Sequence, residues 1–303
     1  MREIVVLSGK GGTGKTTVCT AFAALAHARG QKAVLCDLDV DVPDMHILLN
    51  PQVQQREVFI SGNTARINHD LCTACGRCAE LCRFDAVHLA DGVYSIDELG
   101  CEGCGVCHKL CPVQAVEFPE RRCGEWYMSD TRLGPFVHAQ LDPGQENSGR
   151  LVALLKRQAR EKATAMGAEL VLCDGSPGVG CPVISSLSGA ALAVAVVEPT
   201  PSGRHDFGRV AELCAHFRIP VAVLINKADL NAHETARIHA MIREGGHHLL
   251  GELPFSPLVT QAMVRRQALT EENSALADLL AAAWERVCAL AAQPVRRGAT
   301  NNL

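Results

Sequence analysis

The chain has 303 residues, of which 48% are hydrophobic and only 4% aromatic, and its formal net charge is −4. This length predicts about two domains with aliphatic cores. The acidic balance and the lack of basic runs argue against nucleic acid as a partner. No apolar run reaches the roughly 18 residues of a membrane span, so no membrane partner is expected.

The 15 cysteines have the spacing of metal ligands and do not resemble a secreted disulfide scaffold. The first predicted strand starts after two residues, which leaves no room for a signal peptide. We therefore expect a reducing compartment, the cytoplasm.

The N-terminal segment reads as strand, glycine-rich loop and helix. Ile4–Leu7 is a short apolar run, Gly9–Thr17 matches G-x-x-x-x-G-K-[ST], and Val18–Arg29 is a predicted helix. Backbone N–H groups in such a loop converge on phosphate, and the helix N-terminus adds partial positive charge. Lys15 is expected to reach the β- and γ-phosphates and Thr16 to hold Mg²⁺. The predicted nucleotide contacts of the loop are Gly11, Gly12, Thr13, Gly14, Lys15, Thr16 and Thr17.

A second apolar strand, Lys32–Cys36, ends in a run of alternating carboxylates. Carboxylates at this end of a strand lie beside the phosphate loop in an α/β sheet. Asp39 is the candidate for orienting the attacking water. Asp37 either supports Mg²⁺ indirectly or stabilises a turn, and Asp41 is as readily a turn residue.

A cysteine-rich stretch follows, and it contains an internal repeat at an offset of 29 residues, from Cys72 to Cys101. Each copy has the spacing C-x₂-C-x₂-C-x₃-C, and the second continues into Pro112. This is the pattern of two-cluster bacterial ferredoxins, in which the fourth cysteine of each run binds the other cluster. One [4Fe–4S] cluster is then expected on Cys72, Cys75, Cys78 and Cys111, and a second on Cys101, Cys104, Cys107 and Cys82.

Two features of this block qualify its interpretation. Zinc is the alternative ligand, because four-cysteine sites bind zinc as well. Arg83 stands where the first copy would carry proline, which affects the local backbone or solvent access more than ligation.

The remainder alternates strands and helices. Leu170–Cys173 is a buried strand ending at Asp174, which suits a role in holding Mg²⁺ through water, and Val221–Ile225 leads into Asn226. The alternation predicts a doubly wound, mostly parallel α/β sheet, with ligands at the strand carboxyl ends. The expected domains are a P-loop ATPase domain in two parts, an inserted α+β ferredoxin domain and a flexible tail: 1–50 with 124–295, 51–123, and 296–303.

The loop K-G-G-T-G-K-T-T resembles the deviant Walker A motif of the MinD and nitrogenase iron protein class of ATPases. The resemblance implies ATP as the nucleotide and a dimer, formed with itself or with a related ATPase, in which Lys10 reaches the nucleotide of the other subunit. It further implies that Asn226 contacts adenine and that the segment around Pro254 wraps the base. Cys181 lies at an offset from Asp174 similar to that of a cluster-binding cysteine in the iron protein, although a helix-start cysteine with no metal explains it as well.

Two functions fit these motifs. In the first, ATP hydrolysis changes a dimer and two clusters pass electrons to a redox partner protein. In the second, resembling Mrp-type ATPases, the chain assembles or carries metal clusters for a partner. The insertion begins shortly after Asp39, so nucleotide should move it, unless the polar segment Gln52–Asn63 is a flexible tether.

Overall fold

The computed structural model describes residues 1–145 and 147–293, which form two compact units. The first contains Met1–Arg56, Trp126–Gln140 and the residues from Ser148 onward, and the second contains Glu57–Glu125 and Leu141–Asn147. The tail predicted at 296–303 lies outside the described residues.

A nine-stranded sheet in the order β13-β12-β11-β1-β10-β2-β9-β8-β3 contains the strands of the first unit, and its strands β3 and β8 also include residues of the second. All six pairings from β13 to β9 are parallel. The inner strands are buried on both faces, as their continuous aliphatic sequences require. This confirms the predicted mostly parallel α/β sheet. The strands are β1 Arg2–Leu7, β2 Ala33–Asp37, β3 Gln52–Asn63, β8 Glu120–Thr131, β9 Gly134–Leu141, β10 Leu170–Asp174, β11 Leu192–Val197, β12 Val221–Asn226 and β13 His248–Leu253.

Helices pack on the sheet and bury an apolar core against it. On one face Phe22 and Trp284 are fully buried with ring centroids 5.1 Å apart. No helix in residues 1–145 or 147–293 combines the length and apolarity needed to cross a membrane. The helices of this unit are α1 Lys15–Ala28, α2 Met45–Leu49, α5 Ser148–Ala165, α6 Cys181–Leu187, α7 Pro201–His216, α8 Ala232–Glu244, α9 Leu258–Val264 and α10 Ala275–Ala291, with 3₁₀ turns at Ala228–Leu230 and Leu269–Glu271.

The second unit is small and two-fold repeated. Its elements are β4 Arg66–Ile67, α3 Arg77–Leu81, β5 Val87–Ala90, β6 Val93–Ile96, α4 Val106–Lys109 and β7 Val116–Glu117. β4 pairs antiparallel with β7, and β5 with β6. Its apolar core consists of Ala65, Ala86, Cys101 and Val116, with other cysteines packed around them.

The segment Gln52–Asn63 forms the 12-residue strand β3. The segment considered as a flexible tether is therefore a β-strand in the structure. Its residues are mostly exposed because β3 is the last strand of the sheet, and so its sequence lacks the apolar character of the inner strands.

Candidate functional site

The phosphate loop joins β1 to α1 and lines a cavity of about 460 Å³, a size typical of ligand sites. Gly12 and Gly14 have φ of 78° and 93°, a left-handed conformation that side chains disfavour. A Cβ on Gly14 would lie 2.5 Å from Nδ2 of Asn226, so a side chain here would displace Asn226. The predicted contacts on the cavity wall are Gly11, Gly12, Gly14, Lys15, Thr16, Thr17, Asp39, Asn226 and Pro254.

Lys15 is buried among carboxylates. Its Nζ lies 2.9 Å from Oδ1 of Asp174 and 3.3 Å from Oδ2 of Asp39. Burial works to lower the pKa of Lys15, but Asp174, Asp39 and Asp37 outweigh it and the pKa is raised. Lys15 therefore stays positively charged where a phosphate would be bound.

Three carboxylates meet at the carboxyl ends of adjacent strands. In the β10–β2 register Asp174 lies beside Asp37, and Asp39 follows two residues later. Burial raises the pKa of all three. A divalent cation bound beside these carboxyl groups would oppose this effect and favour their charged form.

The Thr16 hydroxyl donates to Oδ2 of Asp174 at 2.5 Å, so the two expected Mg²⁺-holding groups are adjacent. Hydroxyl and carboxylate oxygens are the donors that Mg²⁺ prefers, and the residues fit the ion. Asp37 instead accepts the N–H groups of Asp39 and Met45, at 3.0 and 3.3 Å. Its turn-forming role is thus visible in the structure.

Lys10 lies in a polar cluster that the sequence reading missed. Its Nζ is 3.3 Å from Oε2 of Glu198 and within 3.5 Å of the hydroxyls of Thr200 and Ser202. Lys227 pairs with the same Glu198 carboxylate. Burial raises the pKa of Glu198, but the two lysines outweigh it and hold the pKa below its usual value. The alignment of β11 with β1 creates this cluster, which no local motif encodes.

The far end of the cavity is built from the β12 and β13 ends. Asn226 donates from Nδ2 to the Thr13 carbonyl at 2.7 Å and accepts from the Lys227 N–H at 3.0 Å. Asp229 accepts the Phe255 N–H at 2.6 Å, which fixes the segment after Pro254. The structure thus brings Asn226 and Pro254 to one cavity, and their contact with a base remains a prediction.

In the small unit the eight cysteines lie around two separate small cavities. The first is lined by Cys72, Cys75, Cys78 and Cys111, and the second by Cys82, Cys101, Cys104 and Cys107. The structure thus brings together the same two sets of four cysteines that were proposed as ligands, and their binding of clusters remains a prediction. Among residues 1–145 and 147–293 no group of three or more His, Cys, Asp or Glu is arranged to hold a single metal ion.

The cavities fit a cluster better than one ion by the chemistry of their donors. A four-iron cluster takes one thiolate on each iron, so its four ligands need not converge on one point. Gly76 and Gly105 start the short helices α3 and α4 with φ of 79° and 72°, which bends the backbone around each cavity. Burial raises the pKa of the Cys78 and Cys107 thiols. For Cys111, backbone N–H groups outweigh burial and lower the pKa.

Asn68 and Asp97 position the two cysteine loops, and the sequence reading overlooked both. Each donates its N–H to an alanine carbonyl at 2.8 Å, Ala115 for Asn68 and Ala86 for Asp97. Each side chain accepts the N–H two residues later at 3.1 Å. Both precede the first cysteine of their repeat by four residues, so extending the repeat outward would have revealed them.

Cys181 is exposed at the first residue of α6. A Cβ built on Gly149 would lie 3.3 Å from Cβ of Cys181, so Cys181 packs against the start of α5. A metal at Cys181 remains a prediction.

The phosphate loop, the Lys15–Asp174 pair and the parallel sheet define a P-loop nucleotide-binding fold of the ATPase type. The chain belongs to the family described as the CobQ/CobB/MinD/ParA nucleotide binding domain, whose model matches residues 4–269. Members of the MinD/ParA family are nucleotide hydrolases. The MinD-type ATPase expected from the phosphate loop is thereby confirmed.

The chain is also similar to individual proteins. The chain is 31% identical over 286 residues to Uncharacterized protein MJ0578 of Methanocaldococcus jannaschii, covering 94% of this chain and 96% of that protein. The septum site-determining protein MinD of Pyrococcus horikoshii, solved with Mg-ADP, superposes with a TM-score of 0.58 at 16% identity, covering 96% and 97% of the two chains. A 56-residue segment is 46% identical to a cytosolic Fe-S cluster assembly factor Nubp2 homolog of Drosophila grimshawi, 18% of this chain and 20% of that protein.

Proposed function

We propose that this protein binds and hydrolyses ATP and couples a nucleotide-dependent dimer cycle to electron transfer through two [4Fe–4S] clusters. The observation that carries the proposal is the grouping of the eight cysteines. Each predicted ligand set lines its own cavity, in the same chain as a complete phosphate loop.

Hydrolysis needs positioning and charge neutralisation more than covalent chemistry. Lys15 holds the β- and γ-phosphates, while Thr16 and Asp174 hold Mg²⁺. Asp39, already 3.3 Å from Lys15, orients the attacking water. When MgATP binds, Lys15 exchanges carboxylate partners for phosphate, and Asp39 is released to face the water.

The eight cysteines hold the clusters as thiolates, four to each cavity. A bound cluster accepts and donates single electrons. The chain's own contribution is to shape the two loops through Asn68 and Asp97 and to keep part of each site away from water. A redox partner protein supplies or takes the electron.

Coupling follows from the position of the insertion. The loop after Asp39 leads directly into α2 and then β3, which begins in the first unit and ends in the second. Segments that contact the γ-phosphate change order when it is cleaved. Lys10 links nucleotide binding to the dimer, since it would leave Glu198 to reach the nucleotide of the other subunit.

The second candidate is cluster assembly or delivery, and the local similarity to the Nubp2 homolog favours it. In that case the clusters are cargo and must leave for a partner protein. The two candidates differ in cluster retention, because a redox centre stays bound through many ATP turnovers while a cargo cluster transfers.

The test uses the full chain purified without oxygen. Iron release to a chelator and cluster reduction are followed with a non-hydrolysable ATP analogue, with ADP and without nucleotide, in wild type and in Lys10→Ala. The proposal predicts a change with the ATP analogue that is smaller with ADP and lost in Lys10→Ala. Nucleotide-independent values in wild type would refute the coupling. Stoichiometric transfer of iron and sulfide to an apo-acceptor during turnover would establish the assembly function instead.

A further inference from the structure

The two cysteine cavities differ in the charge that lines them. Arg77 is the charged side chain on the described wall of the first cavity, and Glu102 is the charged side chain on that of the second. The repeat supplies an internal comparison, because Thr73 occupies the position equivalent to Glu102, and Val106 the position equivalent to Arg77. At both positions the second site is the more negative.

The loop-positioning residues differ in the same direction. Asn68 and Asp97 make equivalent hydrogen bonds, but one is a neutral amide and the other a carboxylate. Asp97 also accepts the Gly100 N–H at 3.2 Å, next to Cys101. Asp97 thus places a carboxylate where the first site has an amide, whereas Asp70 of the first site corresponds to the neutral Leu99 of the second.

Hydrogen bonding and burial add to the charge difference. The Ala115 N–H donates to Sγ of Cys111 at 3.2 Å in the first site. The equivalent pair, Ala86 and Cys82, makes no such bond in the part of the chain that the structure describes. Cys101, in the second site, is 9% exposed, whereas each cysteine of the first site is more accessible.

Several charged residues near the sites oppose this trend. Asp70 precedes Cys72 of the first set by two residues, and Arg83 directly follows Cys82 of the second set. Glu80 lies 3.3 Å from Arg77 and partly neutralises it, and because the two side chains are 67% and 54% exposed, solvent screens the charges of both. Arg121 donates to the Cys101 carbonyl and to the Thr64 hydroxyl. None of these opposing residues lines either cavity in the described part of the chain, whereas Arg77 and Glu102 do and therefore lie nearer to the sites.

Reduction adds negative charge to a cluster. Nearby cations and N–H donors to sulfur favour it, whereas anions and burial disfavour it. Resting on the proposed function, we infer that the centre on Cys82, Cys101, Cys104 and Cys107 has the lower reduction potential. One electron then passes spontaneously from this reduced centre to the oxidised centre of the first cavity, with no bond made or broken. The donor partner reduces the second centre and the acceptor draws from the first.

The test exchanges residues between equivalent positions of the repeat. Full-length protein is titrated without oxygen in the presence of redox mediators, and each centre is followed by its electron paramagnetic resonance signal. Glu102→Thr places the first site's residue in the second, and Thr73→Glu does the reverse. Glu102→Gln is the conservative variant, and Glu120→Gln is the control that removes an exposed carboxylate from the same unit.

Wild type should show two distinct midpoint potentials. Both Glu102 variants should raise the lower potential alone, Thr73→Glu should lower the higher one, and the control should move neither. Equal potentials in wild type, or a Glu102 variant that shifts the higher potential, would overturn the inference. Protein that contains neither iron nor sulfide would instead refute the proposed clusters. Measuring the iron content therefore distinguishes failure of the proposed function from failure of this inference.

Discussion

Replacing Gly14 by alanine should damage the phosphate loop by two separable effects. The first is conformational, because Gly14 has φ of 93° and a side chain in the left-handed region costs about 1–2 kcal/mol. The second is steric, because the new Cβ would lie 2.5 Å from Nδ2 of Asn226. Asn226 must then give up its 2.7 Å bond to the Thr13 carbonyl, and an unmade partly buried hydrogen bond costs about 1–3 kcal/mol.

A double-mutant cycle separates these effects. Gly12 also has positive φ, at 78°, but a Cβ added there would meet nothing within 4 Å, so Gly12→Ala carries the conformational cost alone. Gly14→Ala should therefore destabilise more than Gly12→Ala in urea unfolding of the full chain. In an Asn226→Ala background the two substitutions should cost about the same. Equal costs in the wild-type background would refute this account of the loop.

Three further predictions concern acid stability, turnover and the cysteine loops. Burial and the neighbouring His46 lower the pKa of His138 to about 4. Between pH 6.5 and 4 His138 is therefore protonated in the unfolded chain but mostly neutral in the native state. Stability should fall by about 3 kcal/mol between pH 6.5 and 4, and His138→Gln should remove most of that loss in urea unfolding. Asp39→Asn should retain ATP binding but slow phosphate release at least about 100-fold, and unchanged turnover would exclude Asp39 from the mechanism. Asn68→Ala and Asp97→Ala should each make iron release to a chelator biphasic by loosening one site, whereas uniform release would argue against separate loop supports.

The phosphate loop and the parallel sheet were predictable because their signals are local. A buried aliphatic strand, a glycine-rich loop and a helix follow each other directly from Ile4 to Arg29. The repeated spacing of the eight cysteines, with the two-cluster ferredoxin pattern, likewise predicted which four line each cavity, while cluster binding stays a prediction. In each case one short segment contains most of the information.

Other features depend on distant parts of the chain and could not be read this way. Glu198 meets Lys10 only because β11 pairs with β1. β3 was not predicted because an exposed edge strand needs no alternation of apolar residues. Asn68 and Asp97 act through backbone bonds, which residue type indicates only weakly, although the repeat offset would have identified them.

The central claim is that the chain holds two [4Fe–4S] clusters in addition to a nucleotide site, and its most direct test is the metal and sulfide content. Protein purified without oxygen should contain about eight irons and eight acid-labile sulfides per chain. Cys78→Ser and Cys107→Ser, which remove one ligand from the first and the second set, should each lower both counts toward about four. Stoichiometric zinc without sulfide in the wild-type protein would contradict the account.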